Sequence, residues 1–411
     1  MNKTTFLDRT TPPHIVTLVM IAGLSALTMN LLLPSLPGIA SFYEADYALV
    51  QLAVSGYLAF TGLLQLLIGP LSDRYGRRPV LLGGLAIFMV ATALAPLAPN
   101  VETFLFIRMI QATVACGMVL SRAIVRDMVD TDEAASMIGY VTMGMTLAPM
   151  IGPALGGVLE EVFGWQSTFL LLLLFGAGVF ALTWFDLGET NHNRSSSMLR
   201  QFGAYPELMR SRRFWGYTLT ATFASGAFFS FLGGGPFVAT EILGMNPSQL
   251  GFYFMFIALG YMAGNYLSGR FSRQVGINRM MVAGCVFSTF GMCVSLILFL
   301  AGLYHPLSFF GPILLVGLGN GVTLPSANAG IVSVRPHLAG SASGLGGAMM
   351  IGGGAALSAI AGAILSVETG PYPLIGVMLG SSIVGVLATL YVIKVENSLP
   401  PEEQTRPGEA R

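Results

Sequence analysis

The stretch that joins two long apolar runs reads Gly69-Pro70-Leu71-Ser72-Asp73-Arg74-Tyr75-Gly76-Arg77-Arg78. Four of its ten residues are charged, whereas charged residues make up 10% of the whole chain. An apolar helix that runs into such a cluster and then turns back has to reach water there. Because translocated loops avoid Lys and Arg, the three arginines place the 69–78 loop on the cytoplasmic side of a membrane. Gly76 can adopt a left-handed turn conformation, and Pro79 is well placed to open the next helix.

The composition is that of an integral membrane protein. Of the 411 residues, 54% are hydrophobic and 10% are charged, whereas soluble domains average about 25% charged residues. The net charge of zero gives no reason to invoke a nucleic-acid partner. The three cysteines lie inside apolar runs without a CxxC spacing, which argues against a disulfide framework or a zinc site.

Twelve apolar runs are long enough to cross the hydrocarbon of a bilayer as helices. The predicted spans are 14–36, 47–70, 79–97, 102–125, 135–159, 166–186, 214–238, 248–270, 279–301, 306–330, 340–365 and 371–393. One long polar linker, 187–213, separates an N-terminal half (1–186) from a C-terminal half (214–393), and a tail follows over 394–411. We therefore predict an all-α, multi-pass membrane protein with two six-helix halves.

Positive charge is distributed on one side of the predicted bundle. With the N-terminus inside, every Lys and Arg except Arg108 falls on a cytoplasmic segment, and the predicted outer loops contain only acidic charges. This bias predicts that both termini are cytoplasmic. Residues 264–276 weakly repeat the 69–78 loop without its Asp, as expected for two related halves around a central site.

The residues that enzymes use for chemistry are sparse. The chain contains no arrangement of a nucleophile with a base, and its four histidines fall near interfaces or in loops. A phosphate-binding Gly-x-x-x-x-Gly-Lys-Ser/Thr motif is also missing from the sequence, which argues against an ATP-driven pump. We predict that the chain is not an enzyme, that it needs no cofactor, and that an ion gradient supplies the energy.

Arg108 is the one Lys or Arg that falls outside the predicted cytoplasmic segments. It lies about a turn and a half into the fourth helix, where an unpaired cation is costly, and Gln111 follows one turn later on the same face. Two interpretations stay open. The side chain can extend to the outer interface, or it can lie in the cavity and tune the proton affinity or the substrate charge preference of its neighbours.

The fifth predicted helix is rich in glycine and proline. Two internal prolines would disrupt a soluble helix, but in a membrane bundle they produce kinks, and glycines let a neighbouring helix pack closely. Tight packing alone is the alternative interpretation. The residues concerned are Gly144, Pro149, Gly152, Pro153, Gly156 and Gly157.

These motifs resemble those of the major facilitator superfamily. The 69–78 loop is similar to the superfamily signature G-x-L-x-D-R-x-G-R-[RK], and Arg108-x-x-Gln111 is similar to its fourth-helix R-x-x-Q signature. The glycine–proline segment of the fifth helix resembles the antiporter motif of proton-coupled drug exporters. With the first-helix end at 30–37 and the segment 122–127, the chain resembles the Bcr/CflA drug-resistance subfamily, which includes bicyclomycin and chloramphenicol/florfenicol exporters.

The resemblance implies the major facilitator fold and a function. It implies a monomeric exporter in a bacterial inner membrane that exchanges small lipophilic, amphenicol-like drugs for protons by alternating access. An exporter of an endogenous sugar, amino acid or natural product would carry the same motifs. A membrane enzyme or receptor is disfavoured, because the sequence has no polar catalytic cluster and no large extramembrane domain. The latch residues are Gly69, Asp73, Arg74, Gly76, Arg77 and Arg78, and a second charge network comprises Arg122, Arg126 and Asp127.

The chain departs from the subfamily at position 30. Members usually have an Asp four residues before the first-helix proline, which is Pro34 here, and that Asp is a leading candidate for carrying protons. Asn30 cannot titrate. The favoured hypothesis is that Asn30, natural or engineered, mimics the protonated Asp, so that binding persists while coupling weakens. Alternatively, protons use Asp73, Asp127 or a periplasmic acid, or the substrate moves without protons.

Aromatic residues on the kinked helices are candidates for the substrate cavity. For each of them, packing in the core or against lipid is the alternative interpretation. A surface rich in Met and Phe suits amphipathic drugs better than sugars, because methionine adapts to varied shapes. The candidates are Tyr57, Phe228, Phe231, Phe237, Tyr253 and Phe254.

Overall fold

A computed structural model describes residues 5–128, 131–191, 205–335 and 338–398. These residues form helices and connecting turns, without strands. Eleven of the helical segments are long and apolar enough to cross a membrane. A further helix of 33 residues, Thr131–Phe163, lies at the predicted fifth span. The predicted all-helical membrane fold is confirmed in the part of the chain that the structure describes.

We number the long helical segments α1 to α12. They are α1 (Ile15–Phe42), α2 (Tyr47–Tyr75), α3 (Arg77–Leu97), α4 (Val101–Met128), α5 (Thr131–Phe163), α6 (Gln166–Asp186), α7 (Arg212–Ile242), α8 (Pro247–Val275), α9 (Ile277–Leu300), α10 (Pro306–Ser333), α11 (Ala339–Ile364) and α12 (Tyr372–Asn397). A short helix, Tyr205–Met209, precedes α7. Turns of 3₁₀ helix interrupt α1 at Leu33–Ser35 and α4 at Ala112–Val114.

The chain forms two compact units. The first contains Met1–Met198 together with Pro236–Met255, and the second contains Leu199–Gly235 together with Phe256–Arg411. The end of α7 and the beginning of α8 therefore group with the first unit, although they follow the central linker in sequence. The domain boundaries at 187, 213 and 393 are a division by sequence and stay a prediction.

The turn of the 69–78 loop is shorter than the sequence predicts. The helix α2 continues through Pro70 to Tyr75, and α3 begins at Arg77, so only Gly76 turns the chain. Its φ of 106° is open to glycine at little cost and strains other residues. Pro79 does not open α3 but occupies its first turn, where a missing N–H is tolerated because it has no helical partner.

The N-terminal segment of the first unit is held at the end of α6. The buried Asp186 carboxylate accepts hydrogen bonds from the Leu7 N–H (2.7 Å), the His14 N–H (2.8 Å) and the Thr17 hydroxyl (2.5 Å). Leu187, which follows Asp186, accepts a hydrogen bond from the Arg78 side chain on its carbonyl oxygen, at 2.8 Å. The start of α1, the end of α6 and the 69–78 loop therefore lie at the same end of this unit, which we call the loop end. We call the other end the far end.

The second unit repeats the turn geometry of the first. Gly276, with a φ of 88°, stands between α8 and α9 as Gly76 stands between α2 and α3. The charged cluster nearby is built differently, because this loop has no Asp. The Glu396 carboxylate accepts from Arg213 (2.8 Å), Tyr217 (2.6 Å) and Asn278 (2.6 Å).

Candidate functional site

Arg77 is the centre of the 69–78 loop. Its guanidinium pairs with Asp73 at 2.5 Å and with Asp127, at the end of α4, at 3.0 Å. It also donates to the Ser72 hydroxyl at 2.5 Å. Two carboxylates that share one largely buried guanidinium bind it more strongly than a surface ion pair would. The structure therefore brings Asp73, Arg77 and Asp127 together and joins α2 to α4.

The other predicted cations of this region are placed apart from Arg77. Arg78 lies with its guanidinium 5.0 Å from the centroid of the Trp184 ring, and Arg74 lies 5.3 Å from that of Tyr75. Arg126 is exposed and Arg122 is half-buried. Asp127, a member of the predicted second network, contacts the loop through Arg77.

The beginning of the central linker binds the 69–78 loop, which the sequence did not predict. Glu189 Oε1 accepts from the Arg77 backbone N–H at 2.9 Å, Thr190 donates to Asp127 at 3.2 Å, and Asn191 donates to the Asp73 carbonyl at 3.1 Å. Glu189 thereby caps the N-terminus of α3, where Gly76 has no side chain to do so and where a negative charge is favoured. The weak signal in the sequence is an acid directly after the apolar α6.

Glu189→Ala is expected to destabilise the first unit by about 1 kcal/mol, the typical value of a helix cap. Glu207→Ala is the matched control, because Glu207 forms an ion pair with Arg335 in which both side chains are about half exposed. We expect thermal unfolding of the purified protein to start a few degrees lower for Glu189→Ala and to be unchanged for Glu207→Ala. Equal unfolding temperatures for the two variants would contradict the capping role.

Arg108 is buried where α1, α2 and α4 meet. Its side chain is 1% exposed, so it does not extend to the outer interface. Its nitrogens donate to the carbonyls of Thr28 (3.0 Å) and Ala53 (3.3 Å) and to Gln111 Oε1. The Tyr57 ring lies against the guanidinium, 4.3 Å from ring centroid to Cζ.

The charge of Arg108 is stabilised by dipoles. Among the described residues, its hydrogen-bond acceptors are neutral oxygens, and Gln111 is itself fixed by a 2.8 Å bond to the Thr92 hydroxyl of α3. A buried cation without a carboxylate partner produces a positive potential around it, which favours electron-rich groups nearby. This part of the first unit can therefore bind an electron-rich group or bias a neighbouring acid toward ionisation.

The glycine–proline segment of α5 packs against α1. A Cβ atom on Gly152 would lie 3.1 Å from Asn30 Cβ, and one on Gly156 would lie 2.0 Å from the Leu31 carbonyl oxygen. On another face, a Cβ on Gly157 would lie 2.2 Å from the Pro247 oxygen at the start of α8. Pro149, Pro153 and Gly144 lie within the same helix. The close packing is observed, whereas the antiport role of the segment stays a prediction.

Asn30 is 4% exposed and faces this α1–α5 contact. Its amide nitrogen donates to the Ala26 carbonyl at 2.8 Å, one turn earlier in the same helix. An ionised carboxylate in this place would face that carbonyl oxygen without a proton to donate. Position 30 therefore suits a side chain that donates a hydrogen bond, as Asn or a protonated Asp does.

The structure places the six aromatic candidates in different surroundings. Tyr57 contacts Arg108, and Phe237 lies 5.0 Å from Tyr47 in the first unit. Phe231, fully buried, packs against Phe309 and Phe310 in the core of the second unit. Phe254 is buried, and Phe228 and Tyr253 are half-buried. Helical periodicity cannot separate a core aromatic from a cavity aromatic, and here Tyr57 is the candidate that meets a buried charge.

An open cleft of about 850 Å³ lies at the far end of the first unit. The connections from α1 to α2 and from α3 to α4 form its walls, and Glu44, Asp46 and Glu102 are among its lining residues. These acids belong to the predicted outer loops. The cleft was not predicted from the sequence, because it depends on how two loops distant in sequence meet.

Comparison with known proteins gives consistent matches over most of the chain. Residues 18–359 match the family model described as Major Facilitator Superfamily. The uncharacterized MFS-type transporter YdgK of Bacillus subtilis is 30% identical, over 90% of this chain and 92% of the relative. A chloramphenicol resistance protein of Pseudomonas aeruginosa is 32% identical, over 77% of this chain and 76% of the relative.

A bicyclomycin resistance protein homolog of Haemophilus influenzae is 27% identical, over 92% of this chain and 95% of the relative. Among solved structures, a bacterial homolog of the human lysosomal transporter Spinster matches with a TM-score of 0.73 at 15% identity. That match covers 96% of this chain and 98% of the other. At this identity the likeness concerns the fold alone.

Proposed function

Because the chain belongs to the Major Facilitator Superfamily, which makes it a membrane transporter and not an enzyme, we propose that it exports small lipophilic drugs in exchange for protons. The drugs are of the amphenicol kind. The protein works by alternating access, as a monomer and without a cofactor, in a bacterial inner membrane with both termini cytoplasmic. The proton gradient supplies the energy.

The observation that carries this proposal is the buried Arg108 site. A guanidinium whose hydrogen-bond acceptors among the described residues are neutral oxygens, and which lies beside an aromatic ring, suits an electron-rich but uncharged substrate such as a nitroaromatic amide. The charge would attract substrate oxygens, and the Tyr57 ring would contact the apolar part. Resistance to chloramphenicol and bicyclomycin in the names of two relatives supports the same substrate class.

The Arg77 cluster supplies the conformational element of the mechanism. Its two ion pairs join the ends of α2 and α4, and the bonds from the 189–191 segment add the central linker. Such a network has a small number of well-defined arrangements, as a two-state latch requires. In the proposed cycle this cluster holds the loop end in one state and breaks in the other.

Transport into proteoliposomes tests the proposal. Vesicles that contain the purified protein and an acidic interior are expected to accumulate radiolabelled chloramphenicol, because antiport moves protons out as the drug moves in. A protonophore should abolish this accumulation, and protein-free vesicles should show none. If chloramphenicol does not move under any gradient, the drug assignment is wrong, and a panel of sugars and amino acids tests the metabolite alternative.

A further inference from the structure

We infer that Glu160, at the far end of α5, is the carboxyl group that binds the transported proton, with Ser35 of α1 as its partner. The inference rests on the proposed exchange of drugs for protons. It assigns the coupling to an acid outside position 30, where Asn30 cannot titrate.

The first argument is the face of α5 on which Glu160 lies. Residues four apart share a side of a helix. Gly152 lies against Asn30, Gly156 lies against Leu31, and Glu160 continues this series by one turn. Its Oε1 lies against Gly38, where an added Cβ would be only 2.1 Å away. Glu160 is therefore part of the α1–α5 contact.

The second argument is the missing partner of its other oxygen. Glu160 Oε2 is buried and accepts no hydrogen bond within the described residues. Ser35, fully buried in the 3₁₀ turn of α1, is the neighbouring donor, and its hydroxyl lies next to the carboxylate without reaching full hydrogen-bond geometry. Burial makes the ionised oxygen costly. The Ser35 hydroxyl can donate to the carboxylate or accept from the protonated carboxyl, so a small shift of Ser35 lets the site hold either form.

The third argument is a comparison with the other carboxylates. Asp186 accepts three hydrogen bonds, Glu396 is held by Arg213, and Asp73 and Asp127 are paired with Arg77. These partners stabilise the ionised form throughout. Among the described carboxylates, Glu160 is the one with a buried oxygen that has no partner, so it is the one whose surroundings fit a proton that comes and goes.

Within the described residues, no ion pair joins Glu160 to a cation. On α5 itself Glu161 is adjacent and accepts from the Ser248 N–H of α8 at 3.3 Å. On the start of α8, Tyr253 is the titratable residue. On α4, Glu102 and Arg108 lie toward the far end, and Arg108 is bound to its own acceptors on α1, α2 and α4. The remaining charges of α4 and α6 lie toward the loop end, and they are Arg122, Arg126, Asp127 and Asp186. His14 lies there too, at the start of α1.

The position suits coupling because α1 is broken beside it. Pro34 and Pro37 flank Ser35, and neither has an N–H to continue the helical hydrogen bonds. A displacement of α1 against α5 would therefore change the distance between Ser35 and Glu160 at little cost. Proton release when the two separate, and uptake when they meet, would link the proton to the movement of the drug-binding unit.

Glu160→Gln is the direct test, and Glu161→Gln is the matched control, because the two acids are adjacent and Glu161 is exposed. Glutamine imitates the protonated carboxyl. We expect Glu160→Gln to lose chloramphenicol uptake driven by a pH gradient by at least about tenfold. Exchange of chloramphenicol against itself, without a gradient, should persist. Glu161→Gln should retain both activities within about twofold of the unsubstituted protein.

Infrared titration gives a readout that needs no transported drug. The unsubstituted protein is expected to show a carboxyl C=O band that gains intensity as the pH falls and that is missing in Glu160→Gln. Identical titrations in the two proteins would overturn the inference, and so would unimpaired gradient-driven uptake by Glu160→Gln. If chloramphenicol never moves, the proposed function fails while the infrared result still decides the role of Glu160.

Asn30→Asp completes the test. If Glu160 binds the proton, the protein with Asn30 already couples drug uptake to the pH gradient, and Glu160→Gln abolishes this coupling whether position 30 is Asn or Asp. If only the Asn30→Asp variant couples drug uptake to the pH gradient, the proton site is at position 30 and the inference is wrong.

Discussion

Gly156→Ala is expected to separate α5 from α1 and to abolish transport. The added Cβ would lie 2.0 Å from the Leu31 carbonyl oxygen and 3.0 Å from its carbon. Both are backbone atoms, so no side-chain rotation can relieve the clash, and the two helices have to move apart. Overpacking of this kind costs about 1–3 kcal/mol. The displaced contact also contains Asn30 and Glu160, so activity is lost along with stability.

Gly178→Ala in α6 is the matched control for this substitution. A Cβ there would meet nothing within 4 Å, and alanine favours a helix over glycine by up to about 1 kcal/mol. Thermal unfolding of the purified proteins and chloramphenicol uptake should therefore both fall for Gly156→Ala and hold for Gly178→Ala. Unchanged unfolding and uptake in Gly156→Ala would contradict this prediction and would mean that the α1–α5 contact has room for an added methyl group.

Arg108→Lys is expected to reduce transport by at least about tenfold although the charge is kept. A lysine ammonium cannot reach the Thr28 and Ala53 carbonyls and Gln111 at once, as the planar guanidinium does. Arg108→Met removes the charge as well and leaves Gln111 Oε1 buried without its arginine donor, at about 1–3 kcal/mol. We expect this variant to lose both transport and stability.

The matched control is Arg126→Met, which removes an exposed arginine from the same helical segment. Its stability and uptake should change little. The lysine variant separates two roles, because a purely structural arginine would lower the unfolding temperature and the uptake in parallel. A loss of uptake with a retained unfolding temperature supports contact with the substrate, and undiminished uptake by Arg108→Lys would contradict it.

The local parts of the fold were predictable from the sequence. The spacing of Asp73 and Arg77 by one helical turn, with Gly76 between them, already implies an ion pair and a sharp turn. The contact from α4 shows where such reasoning stops. Asp127 pairs with Arg77 at 3.0 Å, and the rotation of α4, which the sequence does not give, decides which of its side chains reaches the loop.

Contacts between distant segments could not be predicted. The bond from Arg77 to Glu189 joins residues 112 positions apart, and nothing in the polar linker distinguishes this acid from a solvated one. The sequence left two interpretations of Arg108 open, and the packing of α1 and α2 around its side chain shows that it is buried. In the sequence, Glu160 cannot be distinguished from an acid in an exposed loop. Its burial depends on the α1–α5 contact, where Ser35 and Gly38 lie against its carboxyl group.

The hydrogen bonds by which Asp186 holds the N-terminal segment, which we call the Asp186 clamp, have a consequence for the order of assembly during synthesis. Its bond to the His14 N–H spans 172 positions, and the bond to Leu7 spans 179. The N-terminal segment therefore waits without these bonds while six helices leave the ribosome, and it is fixed only when the last of them arrives. Since domains of large proteins tend to fold as units during translation, the closing of this clamp marks the completion of the first six helices.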